Sequence, residues 1–289
     1  MTPTRRDVWR FEAIGTHWRV ETPQPLPPAA REAIAADIAA FDLAWSRFRP
    51  DSTVTRLSSA GGGVPLPVDA DVMLDAFAAL ADATHGGVNP LVGRSLEVLG
   101  YDADVTLRAI GRVPAPADWR RALTWDDGML RLDRPAVIDV GALGKGRLVD
   151  RVLALIVSLA GAHAVVDAGG DIALRGRGER IALEHPYDPT RAIGVVEVAD
   201  AALCASAVNR RAWGDGLHHV LDARTGTPVR TITATWAIAD DAMTADAAAT
   251  ALFFEGGPRF AHERGVEWVR MTTDGQVEWS PGSTAELFT

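Results

Sequence analysis

Lys145 is the only lysine in the chain; every other Lys/Arg position is arginine. It lies in Val137-Ile-Asp-Val-Gly-Ala-Leu-Gly-Lys-Gly146, a glycine-rich turn between an apolar run and an amphipathic run. A general bias toward arginine accounts for the other basic positions and leaves this one to be explained. Lysine is a compact ammonium point charge, whereas arginine is a wide planar fork. A narrow pocket for a phosphate or carboxylate selects the first. The setting agrees, because the free N–H groups and dipole at a helix start favour anions.

Asp246 and Thr250 are four residues apart in an alanine-rich run. On a helix that spacing puts both side chains on one face. A carboxylate and a hydroxyl, completed by loop carbonyls, suit a hard divalent ion such as Mg²⁺; a polar pair on a solvated face is the alternative. His218-His219 precedes Val220-Leu-Asp-Ala-Arg-Thr-Gly-Thr-Pro228. A histidine there is a candidate general base, although on spacing alone a surface histidine pair is the better reading. Zinc is disfavoured, with one cysteine and no His-x-x-x-His. Cys204, with no activating partner in sequence, reads as a packed thiol. Ala168-Gly-Gly-Asp171 reads as a turn for close backbone approach. Neither glycine loop fits the P-loop or dinucleotide fingerprint.

These residues need a frame. Residues 8–22 read as paired strands broken at Gly15-Thr16, followed by a proline-rich linker over 23–28. Ile34, Ile38, Phe41, Trp45 and Phe48 form a helical stripe across 29–48. Residues 49–53 read as a polar turn and 58–63 as a loop. A second helix is expected over 69–83 with Asp69 as N-cap, then a turn at Val88-Asn89-Pro90 and a short helix over 91–99. After an irregular stretch, an Asp-Gly turn predicts a hairpin over 123–130. A strand over 136–140, a helix over 146–160 and a strand over 164–167 suggest a βαβ-like unit with Lys145 at the helix entrance. That helix should bury Leu148, Val152, Leu155, Ile156 and Leu159. Strands are expected at 193–198, 220–221 and 231–239, a helix over 243–254 ended by Gly256-Gly257, and a closing hairpin over 266–279. The class is α/β, with mixed sheets and packed helices in one domain over 1–289.

Composition is that of an ordinary globular protein, 47% hydrophobic and 23% charged. A net charge of −9 speaks against nucleic acid as a partner. The N-terminal residues carry charge without an apolar core, so no signal peptide, lipobox or membrane span is expected, and a cytoplasmic location follows.

Taken together, four ordered motifs resemble the ApbE-type flavin transferases. They are Asp139-Val-Gly-Ala-Leu-Gly-Lys-Gly146, Asp167-Ala-Gly-Gly-Asp171, His219-Val-Leu-Asp-Ala-Arg-Thr-Gly-Thr-Pro228 and Ala245-Asp-Ala-Ala-Ala-Thr-Ala-Leu252. The spacing fits over about residues 11–257. The resemblance implies a T-fold-like architecture and transfer of FMN from FAD to a threonine of an acceptor protein, with Mg²⁺ and release of AMP. It assigns the metal to Ala142, Asp246 and Thr250. Flavin contacts fall on Ile14, Phe48, Gly87, Val88, Asn89, Asp139, Lys145 and Val220. Catalysis falls on His219, Lys145 and Asp246, with His219 as the base. Three departures stand out: Ala205-Ser206-Ala207 replaces Thr-Ser-Gly, Asn89 replaces an aspartate, and Val88 replaces an aromatic. An FAD-binding paralogue, or an FAD pyrophosphatase without protein transfer, is the alternative.

Overall fold

The computed structural model describes residues 6–161 and 163–288. Its frame is an eight-stranded sheet whose spatial order follows chain order: Asp7–Ala13, Thr16–Thr22, Ala164–Asp167, Asp171–Arg175, Ala202–Ala207, Ile232–Ala239, Glu267–Thr272 and Val277–Trp279. Every neighbouring pair is antiparallel. The helices are excursions from this meander. The α/β class with several sheets and packed helices is as read from sequence.

The βαβ expectation fails. Residues 136–140 form no strand. Their backbone is bonded to the 90–93 turn instead: Asp139 donates to the Pro90 carbonyl at 2.8 Å and Gly93 donates to the Val137 carbonyl at 3.2 Å. An apolar run of this length satisfies its backbone wherever partners exist, and here they lie in a loop. The helix Gly144–Ala160 does follow, and it buries Leu148, Val149, Val152, Leu153 and Ile156. The stripe is rotated from the expected one, leaving Leu159 exposed. Each buried aliphatic side chain contributes up to roughly 1.5–3 kcal/mol, so this face holds the helix to the sheet.

Helix Ala242–Ala251 packs beside it. Gly146 has no room for a side chain, since an added Cβ would stand 2.2 Å from the Ala242 carbonyl oxygen. The helices touch backbone to backbone at that point. Helices Pro28–Trp45 and Ala70–Ala83 complete this side of the core. Asp69 is not a side-chain cap. It adopts φ +69° and its carboxylate pairs with Arg147 and Arg151, both at 2.6 Å, tying the second of these helices to the Lys145 helix. The opposite sheet face packs on a three-stranded sheet of Glu179–Glu184, Ala192–Val198 and Glu286–Leu287.

Two further elements lie where sequence suggested turns. Helix Thr53–Ala60 is capped by Ser52, whose hydroxyl accepts the Thr55 N–H at 3.1 Å. Helix Gly257–Glu263 begins at the glycine pair read as an end, because Pro258 sits in its first turn. Among the described residues, no helix is long and apolar enough to cross a membrane.

Candidate active site

The Gly141–Gly146 loop and helix Ala242–Ala251 bring four of the singled-out residues together. Thr250 Oγ1 donates to the Ala142 carbonyl at 3.0 Å. One oxygen of Asp246 accepts the Gly146 N–H at 2.9 Å, from 100 residues away in sequence. Asp246 is only 3% exposed. The Lys145 ammonium, on the residue before Gly146, pairs with Asp171, which is 1% exposed. A lysine, two buried carboxylates, a hydroxyl and a carbonyl therefore share one spot. The helical spacing of Asp246 and Thr250 acts as expected, but the face is buried rather than solvated.

The electrostatics follow from this crowding. Burial and the neighbouring Asp171 charge push the Asp246 carboxyl up to about 8, against the opposing pull of Lys145 and the Gly146 N–H. Burial disfavours the Lys145 charge, but Asp171 and Asp246 outweigh it and hold the ammonium above its ordinary value. Cys204 is buried against the same group and its Sγ donates to the Ala242 carbonyl at 3.3 Å. Burial, then Asp171 and Asp246, push its thiol well up, so it is a packed thiol as expected.

Asp139 anchors a second cluster at the other end of the loop. One carboxylate oxygen accepts the Gly141 N–H at 2.8 Å and the other accepts Arg47 Nε at 2.6 Å. Arg47 is buried, donates to the Tyr101 carbonyl at 2.8 Å, and lies over the Phe48 and Tyr101 rings at 4.1 and 5.0 Å. Phe48 meets Tyr101 edge-on, and Tyr101 stacks on Trp213. Sequence reading had Phe48 and Asp139 but missed Arg47, Tyr101 and Trp213. Nothing in a sequence distinguishes a buried arginine from the exposed ones around it. Asp171 was visible at the end of its glycine turn, yet its partnership with Lys145 was not.

His219 is half-buried near Asp139 and Arg211. Burial, then the Arg211 and His218 charges, push its imidazole down to about 3, with Asp139 pulling the other way. It is therefore neutral at physiological pH. His218 corrects the reading of a surface pair: it is buried, and its Nε2 is hydrogen-bonded to the Val229 carbonyl at 2.9 Å. The side chain supports the turn that carries His219.

The remaining candidates frame this region. Gly87 leaves no room for a side chain, since a Cβ would come 2.6 Å from the Phe254 ring, and its carbonyl accepts the Ala223 N–H at 2.9 Å. Val88 is buried. The Asn89 amide is committed on both sides, donating to the Pro116 carbonyl and accepting the Leu91 N–H. It braces the loop. Val220 is buried and its carbonyl accepts the Val229 N–H. Ile14 sits at a hairpin turn with φ +47°, a strained conformation for a β-branched residue. Such strain concentrates at functional sites. The same hairpin lays Thr16 against Gly169, where a Cβ would be 2.5 Å from the hydroxyl. This touches the turn that delivers Asp171 to Lys145. A cleft of about 290 Å³ opens beside that turn, bordered by Gly169, Gly170 and Ser206. It is lined by the sheet face that packs on the smaller sheet, whereas Lys145 meets the helical side.

Lys145→Arg tests the opening inference. A guanidinium is wider than the ammonium that pairs with Asp171, and overpacking a tight site costs about 1–3 kcal/mol. The reaction at this site is expected to slow by at least about tenfold, taking 1.4 kcal/mol per tenfold. Unchanged kinetics would make the lone lysine incidental.

Comparison with known proteins places the chain in a family. The ApbE family model matches residues 14–272. An FAD:protein FMN transferase of Rhodobacter capsulatus is 29% identical over 96% of this chain, which spans 57% of that protein's length. One from Treponema pallidum is 27% identical, with 87% of this chain and 79% of that protein covered. The crystal structure of the ApbE protein of Thermotoga maritima superposes with a TM-score of 0.82 at 26% identity, covering 96% of this chain and 97% of the other. The flavin transferase ApbE of Vibrio cholerae gives 0.80 at 22% identity, covering 96% and 98%, a likeness of fold. With the family model spanning both clusters and the loop that joins them, the chain belongs to the ApbE family.

Proposed function

We propose that this protein transfers FMN from FAD to a threonine hydroxyl of an acceptor protein, releasing AMP. The observation that carries the reading is the meeting of Lys145, Asp246, Thr250 and the Ala142 carbonyl in one spot. Their donor set fits a hard cation. Oxygens bound to Mg²⁺ at about 2.0–2.1 Å in an octahedron stand about 3 Å from their neighbours, and Thr250 Oγ1 and the Ala142 oxygen are 3.0 Å apart. Asp246 adds the negative charge, with the buried Asp171 carboxylate beside it. Asp246, Thr250 and Ala142 would hold Mg²⁺, which would neutralise charge developing on the pyrophosphate.

The protein groups then divide the work. Lys145, fixed by Asp171, supplies a positive charge toward the phosphates. Phe48 presents a ring at the surface of the Arg47–Tyr101 cluster, suited to packing on the flavin. His219 takes the proton of the acceptor hydroxyl. That oxygen bonds to the FMN-side phosphorus, the pyrophosphate P–O bond breaks, and AMP leaves with the bonding pair. The product is a phosphoester-linked flavin on the acceptor.

The test is incubation with FAD, Mg²⁺ and a threonine-bearing acceptor, read by mass spectrometry. An FMN adduct accompanied by AMP is the expected result. AMP with no adduct on any acceptor would replace transfer by hydrolysis, and neither product would remove the catalytic reading.

A further inference from the structure

We infer that Asp150 is a positioning residue that sets the register between the Lys145 helix and the Asp246 helix, and through it the oxygen set proposed to hold the divalent cation. Asp150 lies on helix Gly144–Ala160, outside every motif residue assigned a contact. Its two carboxylate oxygens accept the N–H groups of Ala242 and Met243, at 2.7 and 2.9 Å. These are the first two residues of helix Ala242–Ala251. One turn along each helix the relation is reversed, with Asp246 accepting the Gly146 N–H at 2.9 Å. The helices clasp one another by two carboxylates, each reaching the other's first turn. Gly146 lies against the Ala242 carbonyl between the two ties.

The cap at this helix start is completed from the other helix. Asp241 already caps the Asp246 helix, accepting the Thr244 N–H at 2.8 Å and the Thr244 hydroxyl at 2.8 Å. Asp150 takes the two N–H groups that Asp241 leaves, and it does so from 92 residues away. It carries its charge at a cost. Burial pushes its carboxyl up to about 6, the two N–H groups and Arg147 oppose this, and Asp241 adds to it. A second anion held there beside Asp241 makes sense as a tie between helices. Thr250 and Asp246 ride on one helix, and the Ala142 carbonyl belongs to the loop entering the other. A rotation or slide between the helices would therefore separate these oxygens.

The inference rests on the cation reading above, and its test separates the two. Mn²⁺ would be titrated into FAD-loaded protein without acceptor, with free Mn²⁺ followed by electron paramagnetic resonance. FAD affinity in EDTA and the melting temperature would be measured alongside. Asparagine can accept only one of the two N–H groups and turns a donor toward the other. Asp150→Asn is expected to weaken Mn²⁺ by about 10–100-fold, the usual effect of losing a group that orients a ligand, while FAD affinity in EDTA stays put. Asp241→Ala removes the local cap but leaves the tie, so it is expected to lower the melting temperature with Mn²⁺ affinity near wild type. If Asp150→Asn does not fold, Asp150→Glu keeps both acceptors on a longer stem and must still weaken Mn²⁺. Folded Asp150→Asn or Asp150→Glu protein with wild-type Mn²⁺ affinity would overturn the inference. Asp246→Asn with wild-type Mn²⁺ affinity would instead overturn the cation site itself.

Discussion

Asp246→Asn is expected to lose metal-dependent AMP release by roughly a thousandfold or more, since charge stabilisation of several kcal/mol is removed at about 1.4 kcal/mol per tenfold. Asp246 is the only charged residue in the proposed oxygen set, and a hydroxyl with a carbonyl binds Mg²⁺ poorly. The same change is expected to leave the fold intact. The asparagine carbonyl can still accept the Gly146 N–H, and Lys145 keeps Asp171. The sign of the stability effect follows from the proton affinity. The carboxyl is raised to about 8 in the folded protein, above its unfolded value near 3.9. Its contribution is therefore fully present below the unfolded value and is lost as pH rises through about 8. Without divalent cation, the variant should gain in melting temperature relative to wild type between pH 6 and pH 9. Calorimetry in EDTA checks this alongside an AMP-release assay. Full AMP release by the variant, or a melting difference that does not change with pH, would contradict the account.

That coupling explains what the sequence could and could not reveal. Asp246 and Thr250 were legible because helical spacing alone puts them on one face. Lys145 was legible because its residue type stood out. The ordered motifs then carried the family, and with it Asp139, Ala142 and His219. What stayed hidden was long-range pairing. Arg47 looks like any arginine until Asp139, 92 residues later, is seen to accept its Nε. Asp150 looks like a solvated helix position until the start of another helix is found against it. The 136–140 run shows the limit of local pattern: its apolar residues are buried as a strand's would be, but its backbone partners belong to the 90–93 turn. Burial pattern reports which side chains are inside, whereas sheet membership depends on where the hydrogen bonds go. The helix at Thr53–Ala60 was a failure of a different kind, since Ser52 supplied a cap signal that the surrounding polar residues obscured.

His219→Asn should slow FMN transfer by about a hundredfold to ten-thousandfold, the usual worth of a positioned base, with FAD affinity nearly unchanged. An interaction made only in the transition state lowers kcat without altering ground-state binding. The imidazole is neutral because burial, Arg211 and His218 hold its proton affinity at about 3. In the free enzyme it is thus an available but weak base, and kcat/KM should show no acid limb from it between pH 5 and pH 8. On the proposed reading, bound FAD would change the balance. Its two phosphate charges would join Asp139 in favouring the imidazolium, so the kcat profile should break at higher pH than the free enzyme would. This moves the base toward the operating pH, where proton transfer is most efficient. His218→Asn is the control. Its loss of the Val229 hydrogen bond should cost about 0.5–1.5 kcal/mol of stability and leave the rate per folded molecule near wild type. Rapid-quench measurement of adduct formation, paired with FAD titration, separates the cases. Equal rate losses in both variants would reduce His219 to a support for its loop, and an unchanged rate in His219→Asn would leave the acceptor hydroxyl to lose its proton elsewhere.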